Sequence, residues 1–269
     1  AIIKKQREKG YGDTAVKKTG DVMLAKNYDD YKDKIKFPVY CQPKLDGIRC
    51  YITKDGMFTR NHKSIVACPH IFETIKNLKL FENFPNLKLD GELYNPVLKE
   101  DFNKICSLVK RTKPTKEDLE ESKKIVQFWL YDIADTNKKF SDRTNWISTY
   151  LKDKDNSCIK ILTTDIAFKQ KELDIFYEAY MKDGNEGQMI RLDESYEEKR
   201  SKSLLKRKEF QDDEFVIQDI LEGVGNRAGM AGAIVTKTKE GIEFNSNIKL
   251  NWEELEGLLK NRKNYIGTI

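Results

Sequence analysis

The chain has little histidine and no paired cysteine spacing. Only His62 and His70 are present, which argues against a histidine-based metal or nucleophilic site. The five cysteines, Cys41, Cys50, Cys68, Cys106 and Cys158, include no C-x-x-C pair, and their number is odd. A disulfide framework or zinc site is therefore not expected, and an intracellular, reducing compartment is the simpler reading. No apolar run approaches membrane-spanning length, and the N-terminus lacks a signal-peptide core, so no membrane partner is expected. Neither G-x-x-x-x-G-K-[ST] nor G-x-G-x-x-G occurs, which excludes the two common glycine-rich phosphate cradles. No internal repeat or low-complexity tract is visible.

What is present suits one large domain or a large one with a small partner: 269 residues, 39% hydrophobic. The charged fraction is 35% and the net charge +5. That excess is compatible with a polyanionic partner, and equally with a lysine-rich solvated surface. The chain opens at Ala1 on a charged run, which reads as a fragment of something longer.

Residues 1–35 are polar apart from "VMLA" at 22–25. "FPVYCQPKLDGIRCYIT" places β-branched and aromatic residues on both sides of Lys-Leu-Asp-Gly, predicting strand–turn–strand. "HIFETIKNLKLF" (70–81) has helical spacing, and "NLKLDGELYN" alternates as a strand. "EDFNKICSLVKR" (100–111) reads as a helix and "KIVQFWLYDIAD" (124–135) as a strand covered on both faces. "SDRTNWISTYL" (141–151) predicts a capped helix with Trp146 and Tyr150 stacked, and "LDIFYEAYMKDG" (173–184) a helix closed by Gly184. "EGQMIRL" and "SLLKRKEF" read as strands. After the acidic break "QDDE" the pattern changes to short strands, "FVIQDILE", "AGAIVTKTK" and "IEFNSNIK", followed by the helix "NWEELEGLLKNR". A domain boundary is placed near residue 211, with a small β-barrel beyond it.

Strands are poor places for charge unless it is paired or used. Five groups break this rule: Lys44/Asp46/Arg49, Asp90/Glu92, Asp132, Glu186/Arg191 and Lys206/Lys208. For any one of them a buried ion-pair network is as good a reading as function. Together, each beside a turn or glycine, they describe a site. A deprotonated lysine is a nucleophile, and positive neighbours favour that state. Carboxylates such as Glu92 and Glu186 can hold a metal or a ribose hydroxyl. Cationic side chains neutralise phosphate. The aromatic strand "FWLY" can stack on a base. The set fits nucleotidyl transfer to lysine.

At this point the chain resembles the ATP-dependent DNA ligases, within the covalent nucleotidyltransferases and among their small viral and phage-like members. "KLDGIR" (44–49), "FTRN" (58–61), "LDGELYN" (89–95), "WLYDI" (129–133), "EGQMIR" (186–191) and "LLKRKEF" (204–210) resemble the family's motifs in the family's order. The implied fold is α+β: an adenylation domain of antiparallel sheets flanked by helices over 1–211, then an OB-fold barrel over 212–269 that is incomplete at its C-terminus. The implied reaction is nick sealing in duplex DNA by a monomer, with ATP as AMP donor and Mg²⁺ or Mn²⁺ as metal.

The resemblance also implies roles. Lys44 would attack the ATP α-phosphate and carry AMP, with Asp46 near the metal and the nick. Gln42 would contact the adenine edge, Arg49 the ribose, and Tyr131 would stack on the base. Glu92 would bind the ribose or organise metal, and Glu186 would bind the catalytic metal. Lys206 and Lys208 would grip the transferred phosphate, and Arg60 would hold the nick 5′-phosphate. As plain alternatives, Tyr131 is a core aromatic and Arg60 a surface cation. The rival functions are an RNA ligase or an mRNA-capping guanylyltransferase of the same superfamily, or a non-catalytic nucleic-acid-binding module.

An OB barrel has five strands. Here three candidates follow residue 211, and "YIGTI" reads as the opening of a fourth. In the family the last motif lies beyond that point and orients pyrophosphate during lysine adenylation. The sequence is therefore expected to be part of a longer chain, or to be handicapped in that first step alone.

Overall fold

The computed structural model describes residues 22–98, 101–152, 158–208, 214–238 and 241–268. The basic run "KKQREK" (4–9) and the inferred boundary at 211 lie outside them. The chain divides into a larger unit within 13–209 and a smaller one within 210–269.

The larger unit is built on two five-stranded sheets. In the first, the order is β1 (Leu24–Asn27), β10 (Arg200–Arg207), β9 (Gly187–Arg191), β2 (Val39–Lys44) and β8 (Asp165–Ala167). In the second it is β4 (Gly56–Thr59), β3 (Ile48–Thr53), β5 (Leu89–Tyr94), β6 (Gln127–Ile133) and β7 (Ile159–Ile161). Pairing is antiparallel except at one edge of each sheet, where β1 runs parallel to β10 and β7 parallel to β6. The second sheet carries the main core. Cys50, Ile52, Leu89, Leu93, Phe128 and Leu130 pack there against Ile71 and Ile75 of α1 (Pro69–Asn77) and Ile105 and Leu108 of α3 (Phe102–Val109). On the first sheet, Val39, Cys41, Ile190 and Leu205 pack against Leu173 and Tyr180 of α6 (Gln170–Lys182).

Several elements differ from the sequence expectation. The helix over 70–81 is broken at Lys79, which takes a left-handed φ of 55°, so that a short α2 (Leu80–Asn83) follows α1. Lys124 and Ile125 end a helix, α4 (Lys116–Ile125), rather than open a strand. It begins at a capping box in which Thr115 and Asp118 satisfy each other's backbone amides. The helix α5 (Phe140–Leu151) has no cap from its own flanking side chain; Asp193, distant in sequence, accepts from the Ser141 amide at 2.8 Å. Trp146 and Tyr150 do meet on α5, with ring centroids 4.9 Å apart.

The smaller unit is an antiparallel three-stranded sheet, β11 (Ile217–Glu222), β12 (Ala231–Lys237) and β13 (Glu243–Asn247). α7 (Trp252–Lys260) packs on it through Leu255, beside Ile220 and Met230. Residues 265–268, read from sequence as a strand opening, form turns; Gly267 has a φ of 87°. They are tied to β11 by Gly267 N–H to the Ile217 carbonyl and Ile217 N–H to the Thr268 carbonyl, each 2.8 Å.

Candidate active site

The turn 45–47 is where the chain leaves one sheet for the other. β2 belongs to the first sheet and β3 to the second, so Lys44, the last residue of β2, stands where the two part. Gly47 is required there because β5 passes close by. A Cβ on Gly47 would lie 2.5 Å from the Leu93 carbonyl oxygen and 2.8 Å from Glu92 Cγ. Gly187, paired with Lys44 across β2 and β9, is constrained in the same way. Its φ is 155°, and a Cβ would meet the Arg207 carbonyl oxygen at 2.1 Å. The glycines of "KLDG" and "EG" thus let three strands approach around one lysine.

Between the sheets lies a cleft of about 300 Å³, at the lower end of the range for small-molecule sites. Gln42, Lys44, Arg49, Arg60, Glu92, Tyr131 and Lys206 all line it. Glu186 joins them through an ion pair to Lys44, and its other oxygen takes Lys208 Nζ at 3.4 Å. Asp46 lies within the same field. Its carboxyl is pushed up by partial burial and then by the charge of Glu186, with Lys44 and Lys208 opposing. Burial pushes Glu92 up to about 8, against the pull of Arg49 and Lys44. Lys206 is pushed down by partial burial, then by Lys208 and Lys44. The ten residues to which the resemblance gives roles fall around this one cleft.

Two buried networks support it. Asp90 takes Arg49 Nε at 2.9 Å and Nη2 at 2.5 Å, while Arg49 Nη1 donates to the Met23 carbonyl at 2.6 Å. The Tyr196 hydroxyl donates to Asp90 at 2.8 Å and accepts from the Met23 amide at 2.9 Å. Arg49 therefore enters the cleft wall with its guanidinium already clamped. In the second network, Asp132 takes Arg143 at 2.7 and 3.1 Å and Arg191 at 2.7 Å. For Asp90, Asp132 and Arg191 the ion-pair reading of strand charge is the one the geometry carries. Tyr196, Arg143 and the wall residues Leu24, Ala25 and Arg200 were not singled out from sequence; of these only the apolar "VMLA" gave any signal.

Among the described residues no group of three or more His, Cys, Asp or Glu side chains is placed to hold a metal by itself. Magnesium is commonly bound by one or two carboxylates together with substrate phosphates. The donor set Glu186, with Asp46 and Glu92 nearby, fits that mode.

The family model of the ATP dependent DNA ligase domain matches residues 22–208. The chain belongs to the ATP-dependent DNA ligases. Among relatives, the DNA ligase of Haemophilus influenzae is 26% identical over 213 residues, covering 78% of this chain and 73% of that protein. The Chlorella virus DNA ligase-adenylate is 25% identical with a TM-score of 0.52, covering 91% of this chain and 88% of that one. A solved chain named Pmar-Lig_PreS3 is also 25% identical, with a TM-score of 0.70 over 91% of this chain; this chain spans 60% of its length. A bacteriophage T7 ATP-dependent DNA ligase in complex with ATP shares the fold, at 15% identity and a TM-score of 0.55. The ligase family's fold is the nucleotidyltransferase type, here followed by an OB-like small sheet. No helix among the described residues is long and apolar enough to cross a membrane.

Proposed function

We propose that this chain seals nicks in duplex DNA through a lysyl-AMP intermediate, with the larger unit carrying the chemistry and the smaller serving as an OB-type domain that joins in holding the duplex. The observation that carries it is Lys44 on the rim of a cleft lined by Glu92, Tyr131 and Lys206, with Glu186 alongside. Lys44 Nζ attacks the α-phosphorus of ATP; a P–N bond forms and the bond to pyrophosphate breaks. A 5′-phosphate oxygen at the nick next displaces Lys44 from that phosphorus. The 3′-hydroxyl then attacks the nick phosphorus and AMP leaves. Covalent catalysis divides one difficult displacement into easier ones. Tyr131 and Gln42 hold the base, Arg49 and Glu92 face the ribose, and Arg60 receives the 5′-phosphate. Lys206 and Lys208 neutralise charge on the transferred phosphate. A divalent cation, Mg²⁺ or Mn²⁺, held by Glu186 with Asp46 or Glu92 and the phosphates, supplies further charge neutralisation when bound. Incubation with α-labelled ATP and Mg²⁺ should leave label on the protein after denaturing electrophoresis. Label from GTP instead would favour the guanylyltransferase reading.

Glu186→Gln keeps the shape of the side chain and removes the charge a hard cation prefers. Its adenylation rate should fall roughly a hundredfold, with Glu186→Ala no better and DNA affinity retained in both. A Gln variant that adenylates at the parental rate would remove Glu186 from the metal site.

Binding to nicked duplex should be mainly electrostatic, running through the basic segments "KKQREK" and "TRNHK" and the smaller unit. Each neutralised phosphate adds about −0.9 to the log–log salt slope, so even two contacts give about a tenfold loss between roughly 50 and 200 mM salt. An affinity flat across that range, measured by anisotropy, would refute the electrostatic reading.

A further inference from the structure

The side chain of Gln42 is 1% exposed, and its carboxamide is held from three directions. Nε2 donates to the Tyr131 carbonyl at 3.0 Å and to Thr164 Oγ1 at 2.9 Å. Oε1 accepts from Arg191 Nε at 2.8 Å. These partners fix which end of the amide is which. Turning it over would set an NH₂ against the Arg191 donor and an oxygen against the Tyr131 carbonyl, losing two hydrogen bonds and creating two repulsions. Arg191 is fixed in its turn, since its Nη1 donates to the fully buried Asp132, which also holds Arg143.

An amide NH₂ has two donors, and both are engaged. A carbonyl oxygen has two lone pairs, and Arg191 takes one. Toward a ligand Gln42 therefore has a single thing to offer, the second lone pair of Oε1. It can receive a hydrogen bond and cannot give one. A purine with an exocyclic amine at its six position satisfies that lone pair. A purine with an oxo group there sets oxygen against oxygen.

We infer that Arg191, braced by Asp132, is a specificity-determining positioning residue: it locks Gln42 as an acceptor and so selects ATP over GTP in lysine adenylation. This rests on the reading that Gln42 faces the base. Loss of the lock lets the amide turn and serve either purine.

The measurement is kcat/KM for self-adenylation with α-labelled ATP and α-labelled GTP. The wild-type chain should prefer ATP strongly; absence of that preference would sink the base-facing reading itself. Arg191→Lys keeps a cation for Asp132 but has no Nε–H, and its ATP-to-GTP ratio should fall about tenfold, the worth of one hydrogen bond. In the double variant Gln42→Glu, Arg191→Lys the ratio should recover, because both carboxylate oxygens accept; the oxygen that then meets the Tyr131 carbonyl lowers the rate with either nucleotide and leaves the ratio unaffected. Simple damage to the pocket would give no recovery. Should Arg191→Lys fail to fold, Asp132→Asn takes its place: it loosens Arg191 without removing Nε–H, and its ratio should drop about threefold. A wild-type ratio in the folded Arg191→Lys chain, or in Asp132→Asn where that chain does not fold, overturns the inference. So does a double variant that stays unselective.

Discussion

Lys44→Ala is expected to take up no label from α-labelled ATP, at any Mg²⁺ concentration and any enzyme concentration. The expectation follows from what the rest of the cleft can do. Lys206 also lines it and Lys208 adjoins it, each carrying an amine. Lys44 alone ends the strand at which the two sheets part, and it alone precedes the turn that Gly47 makes possible. A displacement at phosphorus needs the attacking atom in line with the leaving group and about 3–3.5 Å away, so an amine elsewhere in the cleft does not substitute. Lys44→Arg should be equally silent, because a guanidinium is not deprotonated in proteins and has no lone pair to donate. The arginine retains the positive charge beside Glu186, so its failure would separate nucleophile from counter-ion. A pre-adenylated nick needs no lysyl intermediate and should still be sealed by both variants at a measurable rate. Acid-labile AMP on the alanine variant would show that another residue carries the nucleotide.

The second large effect falls on stability. Asp132→Ala should lower the unfolding free energy by roughly 3–5 kcal/mol, the usual consequence of removing one partner from a buried ion pair. Here two arginines lose their counter-ion together, and the side chains of Arg143 and Arg191 are only 2% and 4% exposed. Burial of unpaired guanidinium is the penalty. Arg143 keeps hydrogen bonds to the carbonyls of Lys138 and Glu194, at 2.7 and 3.0 Å, which limits the loss. Urea titration followed by far-UV circular dichroism measures the change. A loss under about 1 kcal/mol would show that the Asp132 network contributes little net energy, as some buried ion pairs do.

The strands that flank the cleft were legible because β-branched and aromatic residues lie on both sides of a break that carries glycine: "VYCQPK" and "IRCYIT" lie as the pattern predicted. β1, β7 and β8 were not. They have four, three and three residues, too few for a period to emerge, and what makes them strands is their neighbours. The helix α4, "KEDLEESKKI", is so polar that its apolar period is weak beside the run that follows, and only its capping-box signal Thr115…Asp118 marks it. The cleft residues were legible as a set, since lysine, glutamate and arginine on strands are conspicuous. The same property blurred roles within the set. Asp90 and Glu92 sit two apart on β5; one is fully buried on Arg49 and the other lines the cleft. Nothing in "LDGELY" distinguishes them, because the distinction comes from which side chain the partner strand and Tyr196 bring up. Gln42 is a similar case: its position was readable, but the locked direction of its amide depends on Arg191 and the Tyr131 carbonyl, remote in sequence.

The parallel edge formed by β1 and β10 has a consequence for how the protein comes into being. Leu24 lies beside Arg200 in that register, and Leu24 and Ala25 are one wall of the cleft. A ribosome adding roughly 5–20 residues per second places about 10–35 s between the appearance of these two strands. Throughout that interval β1 has no neighbour, and the nascent chain lacks a side of its own binding cleft. That wall of the cleft is set in place only when β10 has been made, close to the end of the larger unit.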